Sequence, residues 1–173
     1  MLLPDQFDQN EWFIIISLIL TYSLMIKLPK RFPLTITLLI LFFGMAYVQV
    51  TDHILAGLSF NTYDINDFGK YELFDWIGWF IYPPFGYFFV YFFDKWPIHG
   101  RRIFWYILGW SFIAMLVEWI SLKFNFFKYY NWNFAYSYPV YLLTLCIYLL
   151  FFHYINYRFE KLKALRKPVT EEK

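Results

Sequence analysis

The stretch FPLTITLLILFFGMAYVQV, residues 32 to 50, passes nineteen positions without one charged side chain. A helix rises about 1.5 Å per residue, so a run of this length approaches the about 30 Å hydrocarbon core of a bilayer. Pro33 lies near its start, where a first helical turn loses little by lacking an N–H. Working outward from this run, four further stretches read the same way, at about 12–28, 73–93, 103–122 and 138–157. The first is rich in Ile and Leu, and the last three are dominated by Phe, Tyr and Trp. A soluble helical bundle alternates apolar and charged faces, whereas these segments carry almost no charge on any face. The whole chain agrees: 60% of its 173 residues are hydrophobic and 27% aromatic, while only 16% are charged. That length holds one domain, and that balance excludes an ordinary soluble one. The expectation is an all-α polytopic membrane protein, a single bundle of five transmembrane helices, with the lipid bilayer as its first partner.

Charge orients the bundle. Lys and Arg stay on the cytoplasmic side during insertion, so their distribution among short connections sets the topology. Lys27, Lys30 and Arg31 follow the first span, and Lys95, Arg101 and Arg102 follow the third. Arg158, Lys161, Lys163, Arg166, Lys167 and Lys173 follow the fifth. Twelve of the fifteen basic residues thus fall at one end, and only Lys70, Lys123 and Lys128 fall at the other. The opposite end carries Asp5, Asp8, Glu11, Asp52, Asp64, Asp67 and Glu72. This split predicts an external N-terminus, a cytoplasmic C-terminus and a basic cytoplasmic tail over 158–173, in a multi-pass protein of the cell membrane. The tail follows a span directly and carries no nucleic-acid-binding motif, so anionic lipid headgroups suit it and nucleic acid does not. The acidic first eleven residues are the reverse of a basic signal-peptide start, so the first span is expected to stay in place. Cys146 is the one cysteine, which excludes a disulfide within the chain.

Polar side chains inside the spans are the candidate functional residues, since an ionisable group in a membrane helix is costly and usually faces the protein interior. At about 100° per residue, Asp75, Gly78, Tyr82 and Gly86 share one stripe of the third span. Ser111, Ala114, Glu118 and Ser121 share one of the fourth. Small residues on each stripe let helices approach closely, so both carboxylates point along packing faces. Gln49 and His53 stand four apart at the acidic end of the second span, with Asp52 beside them. Gln49, Asp52, His53, Asp75, Tyr82 and Glu118 therefore form the expected ligand-binding set at that end. Asp, His and Glu are also the donors of oxygen and nitrogen metal sites, but no ligand spacing such as HExxH occurs, so the sequence identifies neither a metal nor a cofactor. Pro83 and Pro84 remove two N–H donors from the third span and predict a kink there.

The two connections at the acidic end differ in character. Residues 51–72 hold Asn61, Asp64, Asn66, Asp67 and Gly69, a turn-forming composition. Residues 124–136 place Tyr129, Tyr130, Trp132 and Tyr136 among asparagines, which suits an aromatic belt at the membrane interface or the rim of a ligand site. Through Tyr82-Pro83, Gly100-Arg101-Arg102, Glu118-Trp119-Ile120 and the cluster of Tyr130, Trp132 and Ser137, residues 82–154 resemble a family of small, uncharacterised multi-span membrane proteins of spore-forming Gram-positive bacteria. The resemblance implies a bacterial membrane protein and assigns no catalytic residues. With no nucleotide-binding loop and no nucleophile paired with a base, the sequence favours a non-enzymatic structural or partner subunit, bound to another protein or to a second copy of itself. The alternatives are a small-molecule or ion-handling protein with a polar pocket in the outer leaflet, and a metal-dependent membrane enzyme.

Overall fold

The computed structural model describes residues 7–56, 62–65 and 73–165. The turn-forming residues Asn61, Asn66, Asp67 and Gly69, with Asp5, Lys70, Glu72 and the basic Arg166, Lys167 and Lys173, lie outside the described residues. Among the described residues four helices are long and apolar enough to cross a membrane: α1 (Gln9–Lys27), α2 (Leu34–Leu55), α5 (Arg101–Lys123) and α6 (Phe134–Leu165). The stretch expected as the third span is built in pieces, α3 (Leu73–Gly78), a 3-10 turn (Trp79–Ile81) and α4 (Tyr82–Lys95). Two three-residue strands complete the described chain, β1 (Tyr63–Ile65) and β2 (Phe127–Tyr129).

Local chemistry sets the helix ends. Leu28 and Trp96 close α1 and α4 in extended conformations, at ψ 140 and 142. Each precedes a proline, whose ring disfavours the helical region for the residue before it. At the end of α5, Asn125 takes φ 57, the left-handed conformation that Asn tolerates better than most residues. The N–H of Asn125 reaches the Leu122 carbonyl at 3.3 Å and that of Phe126 reaches Ser121 at 3.0 Å. This paired arrangement satisfies carbonyls that the helix end would leave bare, and it reverses the chain into β2. It also delivers Phe126, 3% exposed, into the core.

The third span follows from its prolines. Pro83 and Pro84 occupy the first turn of α4, and the turn before them tightens to 3-10 while Gly78, Ile81 and Tyr82 keep helical dihedrals. Pro84 has no N–H to offer the Phe80 carbonyl four residues back. The Tyr22 hydroxyl of α1 donates to that carbonyl instead, at 3.2 Å.

Packing is tightest where α2, α4 and α6 meet. A Cβ at Gly44 or Gly86 would collide with the Tyr148 side chain of α6, so both positions require glycine for the phenol to wedge between α2 and α4. Phe89, Ile40 and Ile36, all at most 2% exposed, lie in the same core. The outward faces are apolar as well: Leu34, Trp105 and Leu150 are 73%, 67% and 72% exposed. Apolar exposure over a whole bundle surface marks a lipid-facing protein rather than a water-facing one. At the basic end, Arg31 pairs with Asp94 and also donates to the Asp94 carbonyl at 2.6 Å, joining the first connection to the end of α4. The last helix runs beyond the expected 138–157 at both ends and carries Arg158, Lys161 and Lys163 within it.

Candidate functional site

At the end opposite Arg31 and Asp94, the helices border a partly open cavity of about 200 Å³. Its walls come from α2, α4, α5 and α6, with Phe13 from α1, and a two-stranded sheet contributes Tyr63, Phe127 and Tyr129. Each strand belongs to a different connection. The Thr62 hydroxyl and N–H donate to the Leu55 carbonyl at 2.7 and 3.2 Å, tying the first connection to the end of α2. The Thr62 carbonyl in turn accepts from the N–H groups of Tyr130 and Asn131 at 3.0 and 3.1 Å. The strands then pair antiparallel with Tyr63 opposite Tyr129. Residues directly opposite in an antiparallel pair share a face, so this register sends both phenols the same way, toward the cavity.

Each phenol meets a carboxylate. Tyr63 donates to Asp52 Oδ1 at 2.7 Å, and the Trp79 indole N–H, aimed from the 3-10 turn, donates to Asp52 Oδ2 at 3.1 Å. Asp52 thus has a donor on each oxygen. Glu118 is held differently: the Tyr129 and Ser137 hydroxyls both donate to Oε1, the latter at 2.6 Å, and the Trp132 indole donates to Ser137 Oγ at 2.9 Å. Oε2 of Glu118 is buried and makes no hydrogen bond. The Tyr141 hydroxyl is a further neighbour of this carboxylate. Burial pushes the Tyr63 phenol well above the ordinary tyrosine range, and the negative Asp52 beside it adds to that. Burial does the same to Tyr129, followed by its hydrogen bond to Glu118. Both phenols therefore stay protonated and act as donors.

Of the six residues expected to form the site, Asp52, Tyr82 and Glu118 line the cavity. Gln49 is partly buried and His53 exposed, and both lie off the cavity wall. They occupy other faces of α2, because neighbours on a helix are separated by about 100°. Asp75 is buried on α3, which packs against α1, and also lies outside the wall. Among the described residues no group of three His, Cys, Asp or Glu side chains is arranged to hold a metal ion. The site residues that sequence reasoning passed over are Tyr63, Trp79, Ser137 and Tyr141. Ser137 and Tyr141 are four apart on one face of α6, a signal that could have been read. Tyr63 and Trp79 carry no local mark.

The fold and this site define a multi-span membrane protein with an aromatic-lined cavity bordered by two buried carboxylates. No family model matches the chain, and no curated protein or solved structure shows significant similarity to it.

Proposed function

We propose that the chain is a multi-pass protein of the cell membrane that binds a small molecule in the cavity at its outer end, with its N-terminus outside and its C-terminus in the cytoplasm. The observation that carries this is the cavity itself. Its volume of about 200 Å³ exceeds the about 150 Å³ at which an apolar protein cavity takes up a benzene-sized molecule. Apolar walls with a few convergent polar groups are what small-molecule sites consist of. Close packing between helices is what stabilises a bundle in lipid, and this space departs from it. This moves the reading from a structural or partner subunit to a small-molecule-binding one. The orientation rests on the twelve basic residues at one end. Kinship with the small multi-span proteins of spore-forming Gram-positive bacteria belongs to the same reading, through Glu118-Trp119-Ile120 and Ser137.

The test uses a probe that fits the space and a variant that fills it. In lipid nanodiscs, 2-phenylethanol should raise the Tm of the wild-type chain. In Ala114→Phe a ring occupies the cavity from α5, so the shift should disappear while the folded bundle persists. No shift in wild type, or an equal shift in both proteins, would remove the cavity as a binding site.

A further inference from the structure

Building on that reading, the geometry points to an organic ammonium with an apolar body as the ligand class, its N–H donated to Glu118 Oε2 beside the phenols of Tyr82, Tyr129 and Tyr141. The two carboxylates on the wall differ in what they still require. Asp52 has a donor on each oxygen and serves to hold Tyr63 and Trp79 in place. Glu118 is 7% exposed, has two donors on Oε1 and none on Oε2. A buried carboxylate oxygen without a donor is costly, so a ligand N–H placed against it is favoured.

The surroundings select what that donor is. Among the described residues the cavity wall contains Asp52 and Glu118 but no Lys, Arg or His, so its ionisable side chains there include two acids and no base. Tyrosine rings present negative faces that attract an ammonium, and desolvation strengthens the attraction. A bare divalent cation suits the site poorly. Calcium takes 6–8 oxygen ligands and magnesium a near-octahedral shell, and no three-residue acidic or histidine cluster occurs among the described residues. An organic ammonium needs one acceptor, aromatic faces and apolar room for its body, and all three occur here. A quaternary ammonium would gain the ring faces but has no N–H for Oε2.

The experiment compares phenethylamine, protonated at neutral pH, with its neutral analogue 2-phenylethanol, by calorimetric titration into the full chain in nanodiscs of neutral lipid, with protein-free nanodiscs subtracted. Phenethylamine should bind at least about tenfold more tightly, because hydrogen bonds between charged partners contribute more than neutral ones. Its N-trimethyl derivative should bind more weakly than phenethylamine. Glu118→Gln keeps an acceptor for Tyr129 and Ser137 but removes the charge, so the preference for the amine over the alcohol should disappear. Should that variant fail to fold, the comparison of the three probes in wild type decides alone. Alcohol binding without an amine preference would overturn the ammonium assignment and leave the cavity reading standing. An amine preference that survives Glu118→Gln would overturn the role of Glu118. Absence of binding by every probe would remove both readings together.

Discussion

Tyr63 and Tyr129 hold their positions through single hydroxyl groups, one on each carboxylate of the cavity. Both titrate above the usual tyrosine value of 10.0 because they are buried beside negative charge. In the unfolded chain these phenols lose their protons near pH 10, while in the folded chain they keep them. Their contribution is therefore fully present below pH 10 and is lost as pH rises above it, because the unfolded state then gains by releasing protons that the folded state retains. Thermal unfolding in detergent should show stability falling above pH 10, and the double variant Tyr63→Phe/Tyr129→Phe should show a shallower fall over the same range. At neutral pH that variant should be less stable, since hydrogen bonds to charged groups contribute about 1.5–3 kcal/mol each. Parallel pH profiles for the two proteins would show that neither phenol is linked to folding.

At the scale of elements, the third span shows how one missing donor is answered by another helix. Pro84 leaves the Phe80 carbonyl without its helical partner, and Tyr22 of α1 supplies the hydroxyl. The same tightened turn aims Trp79 at Asp52, so the proline pair reaches the cavity through an indole. A double-mutant cycle measures the exchange. Tyr22→Phe in the wild-type background should cost about 0.5–1.5 kcal/mol, the usual net contribution of one hydrogen bond. In the Pro84→Ala background, where an N–H is restored to the helix, it should cost markedly less. Equal costs in both backgrounds would mean that Tyr22 and Pro84 act independently. Tyr148, wedged at Gly44 and Gly86, is the opposite case, in which two absent side chains admit one large one.

For the whole molecule, polarity runs along the bundle axis. Arg31, Asp94 and the Lys and Arg residues of α6 mark one end, and the sheet, the cavity and the buried Asp52 and Glu118 mark the other. A reporter fused after Lys173 should be active in the cytoplasm, and a membrane-impermeant label at a cysteine placed at Asn61, in a Cys146→Ser background, should react from outside intact cells. Detection of both positions on the same side would exclude a five-span path. With apolar side chains on the outer faces of α1, α2, α5 and α6, the bundle is solvated by lipid around its girth. Water-facing chemistry is therefore confined to its ends.

The spans were legible in the sequence because hydropathy is a property of each residue by itself: a charge-free run such as 32–50 is apolar whichever way its helix is turned. The depth of Asp52, Tyr82 and Glu118 could be read the same way, by counting residues from a span end. Which of them would meet could not, because a stripe of small residues marks the inward face of a helix, as Ser111, Glu118 and Ser121 do on α5, but not which helix lies opposite. Asp75 and Glu118 looked equivalent on their stripes, yet Asp75 went to α3 beside α1 and Glu118 to the cavity. The pairing of Tyr63 with Tyr129 was equally out of reach, since three-residue strands carry almost no local signal and their register depends on two connections meeting over the bundle end. The sequence by itself determined that the chain is a bundle of membrane helices and at which end its buried acids lie. The tertiary structure alone decided that two of those acids border one cavity, because helix pairing and strand register are set by contacts between residues far apart in the chain.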